Sequence, residues 1–146
     1  MIVEIEIVFR LVLALILGSA IGYERKVHNK AAGMRTHALV CVGSTLFAVL
    51  STFTVQDPSS SARIAAGLIT GLGFLGAGMI FRNETRVEGL TTAAEIWVLG
   101  AVGLAIGFGY YIIAVAASVI VVFILVPEEY LEAQATRKRL RKKDAS

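Results

Sequence analysis

Charge is scarce in this sequence of 146 residues: Asp, Glu, Lys and Arg make up only 17% of it. A soluble domain carries about 25%. Cysteine is nearly missing too, and the single Cys41 excludes a disulfide scaffold. Low hydrophobicity, which a disordered chain needs, is absent, because 56% of residues are hydrophobic before glycine is counted. A chain with length for one domain cannot hide that much apolar surface from water. Catalytic signals are lacking as well. There is no nucleophile beside a base, no Cys/His metal spacing and no carboxylate pair deep in an apolar run, so the sequence does not read as an enzyme. What is present is the composition of an integral membrane protein.

A helical span needs about 20 mostly apolar residues. Residues 38–56 and 64–81 are uncharged and each predicts one span. Residues 4–23 form another, interrupted by Glu6 and Arg10. From Ile96 to Pro127 there are 32 uncharged residues, too many for one crossing at 1.5 Å per residue. Gly107-Phe108-Gly109 and the aromatic pair Tyr110-Tyr111 mark a turn near the middle, which predicts two spans over 93–107 and 111–126. Lys/Arg placement supports five spans. Arg25, Lys26, Lys30, Arg35, Arg82, Arg86 and the six tail cations then share one side, which is the cytoplasm by the positive-inside rule. The expected fold is therefore an all-α integral membrane bundle of five transmembrane helices over residues 1–126, N-terminus outside, followed by a cytoplasmic basic tail, 127–146. The acidic start, Glu4 and Glu6, marks the first span as retained, not a cleaved signal.

In lipid, helices associate through small residues four apart. Ala14, Gly18 and Gly22 form such a stripe, and Gly100, Gly103 and Gly107 form another at steps of three and four. Span three carries Gly67, Gly71, Gly73, Gly76 and Gly78 and is expected at the centre of the bundle. Two readings stand for its 71–78 segment: close packing, or a kinked helix whose carbonyls face a polar path. Residues 71–76 also match the dinucleotide fingerprint GxGxxG, but inside an uncharged span that match has no strand or exposed helix to support it. Cys41 reads as a small buried hydrophobe.

Arg10 is the one basic residue within a predicted span; it is either functional or snorkels to the outer headgroups beside Glu4 and Glu6. Thr92-Ala93-Ala94-Glu95 reads as a capping box, and Thr91, Thr92 and Glu95 equally suit a hard cation wanting oxygen ligands. This makes Glu95 the candidate metal ligand. Glu24-Arg25 reads as interfacial charge, and His37 as polar punctuation at the start of span two. In the tail, Arg137, Lys138, Arg139, Arg141, Lys142 and Lys143 suit anionic lipid headgroups, at about 1 kcal/mol each. Tethered this close to a bilayer, they do not suit nucleic acid.

Five blocks in series carry a resemblance: Gly22-Tyr23-Glu24-Arg25, Gly33-Met34-Arg35-Thr36-His37-Ala38-Leu39-Val40, Asp57-Pro58 with Arg63-Ile64-Ala65-Ala66, Gly71 to Gly78, and Gly89-Leu90-Thr91-Thr92-Ala93-Ala94 with Trp97. Together, over about residues 8–110, they resemble the membrane domain of the MgtC/SapB family. The resemblance implies a small prokaryotic inner-membrane protein tied to growth at low magnesium, with Mg²⁺ as the ion concerned. It implies either handling of Mg²⁺ or a non-transporting regulator that binds other membrane proteins, such as an ATP synthase, through small-residue faces. On the first reading Arg35, Asp57, Arg63, Thr91, Thr92 and Glu95 would line a polar centre. Five thin spans leave little room for a pore in one protomer, so a dimer or larger homo-oligomer is expected. Longer members carry a soluble C-terminal domain, whereas this sequence ends in the basic tail.

Overall fold

The computed structural model describes residues 2–54 and 58–125. Among these are five helices: α1 (Ile2–Val27), α2 (Met34–Thr54), α3 (Pro58–Ala77), α4 (Leu90–Gly107) and α5 (Tyr111–Leu125). Three of them contain stretches long and apolar enough to cross a membrane: Val3–Val27, Met34–Thr52 and Leu90–Gly107. The apolar stretches Ser61–Ala77 and Tyr111–Leu125 are shorter. Exposed side chains are largely apolar, as with Ile5, Phe9, Phe74, Ile112 and Phe123, which is the surface a hydrocarbon solvent demands. The expected tail, 127–146, lies outside the described residues.

The helix ends follow local chemistry. α1 stops where Asn29 adopts a left-handed backbone (φ 55°) and Lys30 N–H turns back to Arg25 O at 3.1 Å. α3 begins on Pro58, a residue suited to the first helical position. It is unbroken from there to Ala77, so its glycines do not interrupt the helix. It also ends four residues before the predicted span does. Phe81–Arg82 and Val87–Glu88 pair instead as β1 and β2, a two-stranded antiparallel hairpin. An apolar run cannot itself distinguish the last turn of a helix from a short strand. Between α4 and α5 the chain turns at Gly109 (φ 86°), with Tyr110 N–H bonded to Ala105 O at 2.8 Å. This is the turn expected there.

The hub of the bundle is α2, which packs on α1, α4 and α3; the expectation that span three sits at the centre fails. The reason lies in which glycines meet backbone. A Cβ on Gly18 would lie 2.9 Å from His37 O, and one on Gly22 would lie 2.6 Å from Met34 Cα. On the other side of α2, a Cβ on Gly103 would lie 2.5 Å from Cys41 O, and one on Gly107 would lie 2.7 Å from Thr45 O. Thr45 Oγ1 donates to Gly103 O at 2.9 Å, a bond open to it because the backbones are so close. By contrast, Gly67, Gly71 and Gly73 of α3 have nothing within 4 Å of such a Cβ. Gly76 meets Ala93 at an ordinary 3.5 Å, and Gly78 meets only α3's own last turn. Cys41, wholly buried, joins Ala14, Ile21, Leu99, Val102 and Ile106 in the core.

Two measurements follow. Gly103→Ala should cost about 1–3 kcal/mol, the usual cost of overpacking. Gly67→Ala should stay within about 0.5 kcal/mol. Thermal melting in one detergent compares them. Gly89, the residue before α4, has φ 85°, and a Cβ there would lie 1.9 Å from Met79 O. Gly89→Ala should therefore lower the melting temperature more than Gly103→Ala does.

Candidate functional site

Ionisable groups enclosed in a membrane bundle are expensive and need internal partners. The described residues place such a group at the end of the bundle where α1 finishes and α2 and α4 begin. Arg25 is 1% exposed, His37 0% and Glu95 5%. Each projects from a face already committed to the helix contacts. Arg25 follows Gly22 by three residues on α1. His37 precedes Cys41 by four on α2. Glu95 lies four before Leu99 on α4. The glycines bring the backbones together, and the three polar side chains meet at the open end of the same seam.

Arg25 Nε stands 3.1 Å from Glu95 Oε2, and His37 Nε2 stands 3.4 Å from the same oxygen. The other ring nitrogen of His37, Nδ1, is 3.0 Å from Gly33 O. Glu24, largely buried, extends the group outward: Arg25 Nη1 is 3.6 Å from its Oε2, and His28 Nδ1 is 3.4 Å from its Oε1. His28 Nδ1 also lies 2.8 Å from Glu24 O. The result is a chain of alternating groups, His28–Glu24–Arg25–Glu95–His37, running from the exposed end of α1 to the α2–α4 contact. Both Glu95 oxygens, both Glu24 oxygens and His37 Nε2 are enclosed without a hydrogen bond of good geometry among the described residues.

The capping box is replaced by a different start. Gly89, not Thr92, caps α4, and no side chain bonds the cap. Glu95 thus sits more than a turn inside the helix, where it cannot reach back to a free N–H and is available to Arg25. The oxygen a cation would take is already faced by a guanidinium and an imidazole. No set of three or more His, Cys, Asp or Glu fit for a metal occurs among the described residues.

The other expected site residues do not converge on this point. Thr92 is buried beside it, but Thr91 is exposed. Arg35 is exposed at the start of α2. Arg63 is exposed on α3, bonded to Ser59 Oγ at 3.0 Å. Asp57 and the six tail cations, Arg137 to Lys143, lie outside the described residues. Arg10 belongs to the opposite end of α1. It bonds Gly107 O, pairs with Glu6 and donates from Nε to Tyr111 Oη at 3.0 Å. Its guanidinium lies 5.9 Å from the Tyr111 ring centroid, so it ties α1 to the α4–α5 turn instead of standing alone in lipid.

Arg25 and His37 were the residues missed. The signal for Arg25 was its register: Ala14, Gly18, Gly22 and Arg25 fall on one α1 stripe, at steps of four, four and three. Removing one partner of a buried ion pair costs about 3–5 kcal/mol. Arg25→Met should therefore lower thermal stability by that order, whereas Arg35→Met, on the surface, should stay within about 0.5 kcal/mol.

Comparison with known proteins bears on most of the chain. It is 43% identical over 127 residues to YhiD of Escherichia coli (strain K12), named as a candidate magnesium transporter, covering 82% of this chain and 59% of YhiD. It is 43% identical over 114 residues to the protein MgtC of Salmonella typhimurium (strain LT2), covering 78% of this chain and 48% of that protein. It is 43% identical over 129 residues to MgtC of Brucella abortus (strain 2308), covering 86% and 54%. The chain thus spans about half the length of these relatives. No solved structure matches it. Residues 11–134 match the MgtC family as a whole, and the chain is a member of that family.

Proposed function

We propose that this chain is a five-span protein of the prokaryotic inner membrane, N-terminus outside, that acts in magnesium homeostasis as a non-conducting regulator. It does so by docking another membrane helix on α3. The observation that carries the reading is the division of the glycines. Gly18 and Gly22 of α1 and Gly103 and Gly107 of α4 are consumed in contacts with α2, and Gly100 of α4 in contact with Leu72 of α3, while Gly67 and Gly71 of α3 line an open groove of about 680 Å³ with Phe47, Leu50, Ile64, Leu68, Leu72 and Leu75. Small residues four apart on an open face are what a partner helix needs for close approach. Three further points support the reading. The names of relatives attach magnesium to this family. The α1–α2–α4 seam is closed by backbone contact. The alternating direction of the helices gathers the loops rich in Lys and Arg at one end, which suits the cytoplasm. The basic tail, Arg137 to Lys143, then meets anionic headgroups.

A second reading is favoured by the same open face. If a second copy covers α3, a path for Mg²⁺ forms between protomers. The two readings separate in liposomes containing only the purified protein. The proposal expects no Mg²⁺ flux above that of empty vesicles. It also expects Gly71→Leu to abolish co-purification of a partner membrane protein while leaving the melting temperature unchanged. Flux from the pure protein, lost in Gly71→Leu, would establish the second reading in its place.

A further inference from the structure

The end of the bundle opposite the Arg25 cluster holds a recess of about 240 Å³, lined by Val3, Glu6, Ile7, Arg10, Thr52 and Phe108. Helix α2 finishes two residues beyond Thr52, and Phe108 opens the turn between α4 and α5. On the five-span reading the recess therefore lies at a membrane boundary, at the level of the headgroups. It is many times larger than a single water needs and far too small for a helix.

Its walls carry hydrogen-bonding capacity that the protein leaves unspent. A guanidinium has five N–H groups, and Arg10 spends three. Nε donates to Tyr111 Oη, Nη1 to Gly107 O and Nη2 to Glu6 Oε1. The second N–H of Nη1 and that of Nη2 have no acceptor among the described residues. Glu6, half-exposed, also accepts from Tyr111 Oη at 3.2 Å, again through Oε1. Its Oε2 has no donor among the described residues. Thr52 Oγ1 donates to Val49 O at 2.7 Å and keeps its own lone pairs for a donor.

A ligand of one sign cannot satisfy both charged walls. An anion on the Arg10 N–H groups lies beside the Glu6 carboxylate, and a cation on Glu6 lies beside the guanidinium, so each is repelled by its like charge. A phosphate joined by a short linker to an ammonium that still bears hydrogens avoids both penalties. The phosphate accepts from Nη1 and Nη2, and the ammonium donates to Glu6 Oε2. The surroundings argue for a lipid as the carrier of that group. Val3, Ile7 and Phe108 give the recess an apolar side, and Phe9 and Ile112 stand exposed nearby on α1 and α5, where acyl chains can lie.

We propose that this recess binds the headgroup of a phospholipid with a primary ammonium, of the phosphatidylethanolamine class, phosphate on Arg10 and ammonium on Glu6. Phosphatidylcholine offers the same phosphate, but its nitrogen has no hydrogen to donate. Phosphatidylglycerol has no cation for Glu6. The bound headgroup adds to the Arg10 contacts that tie α1 to the α4–α5 turn.

The test is native mass spectrometry of the full chain purified in detergent, with the three lipids added separately at one concentration and with matched acyl chains. Val3→Trp fills the recess from its rim and touches neither charge, so lipid lost in this variant is lipid of this site. The expected result is one phosphatidylethanolamine per protomer, lost in Val3→Trp and held at least about tenfold more tightly than phosphatidylcholine, as a hydrogen bond between charged groups allows. Phosphatidylglycerol, which the tail cations also attract, should bind the parent and Val3→Trp alike. Glu6→Gln should cut the preference for phosphatidylethanolamine over phosphatidylcholine severalfold, and it gives an independent line where Val3→Trp does not fold. Free phosphoethanolamine at the lipid's concentration should displace none of it.

Equal retention of phosphatidylethanolamine by Val3→Trp would overturn the proposal. So would loss of phosphatidylglycerol alongside it, or an unchanged preference in Glu6→Gln. Displacement by free phosphoethanolamine would overturn the lipid as occupant and leave a site for a soluble zwitterion. Gly71→Leu on α3 should hold the lipid as the parent does, so failure here leaves the regulatory reading standing, and failure of the flux experiment leaves this one standing.

Discussion

Close backbone approach of α1 and α4 to the two sides of α2 is the contact on which the rest of this molecule depends. In hydrocarbon there is no hydrophobic gain in bringing two apolar helices together, so dispersion and interhelical hydrogen bonds must do it. Gly18, Gly22, Gly103 and Gly107 allow that contact by leaving no Cβ in the way. Once the backbones meet, Thr45 can reach Gly103 O, and the ends of the same seam enclose Arg25, His37 and Glu95. The charged cluster is therefore a consequence of the packing as much as a feature added to it. A larger residue in the seam would separate the helices and hydrate the cluster together.

Much of the fold was legible because a membrane restricts the options. The limits of four helices lie close to the predicted spans, and the turn at Gly109 was marked by its own residues. The glycine stripes of α1 and α4 were visible as steps of three and four. The failures share a cause. Which stripe faces protein and which faces open space depends on the partner helix, so Gly67, Gly71 and Gly73 looked as central as Gly18. The sequence pattern Thr92-x-x-Glu95 suited a cap, but the left-handed Gly89 with Met79 O beneath it starts α4 earlier. Arg25 and His37 read as interfacial because charge near a span end usually is. Only the register with the small residues separated them from Arg35, which is truly exposed.

Family membership and geometry bear on different questions. The match over residues 11–134 establishes kinship, and the names of the relatives connect that kinship with magnesium. The geometry concerns what one protomer can do. Within one protomer the seam is closed by backbone contact, with a guanidinium on the carboxylate nearest its end. The open face of α3 is where the proposed partner helix would dock. That face belongs to a helix that rests on α4 at Gly76 and Leu72.

The contact made by Arg10 also constrains how the protein is built. α1 leaves the ribosome before Tyr111 and Gly107 exist to receive the guanidinium. During that interval Glu6, one turn away on the same helix, is the partner at hand, and the pair lets α1 enter the bilayer with its charge already answered. When the α4–α5 hairpin arrives, its turn presents a helix-terminal carbonyl and a phenol to the waiting cation. α1 thus carries the latch, and the α4–α5 hairpin closes it.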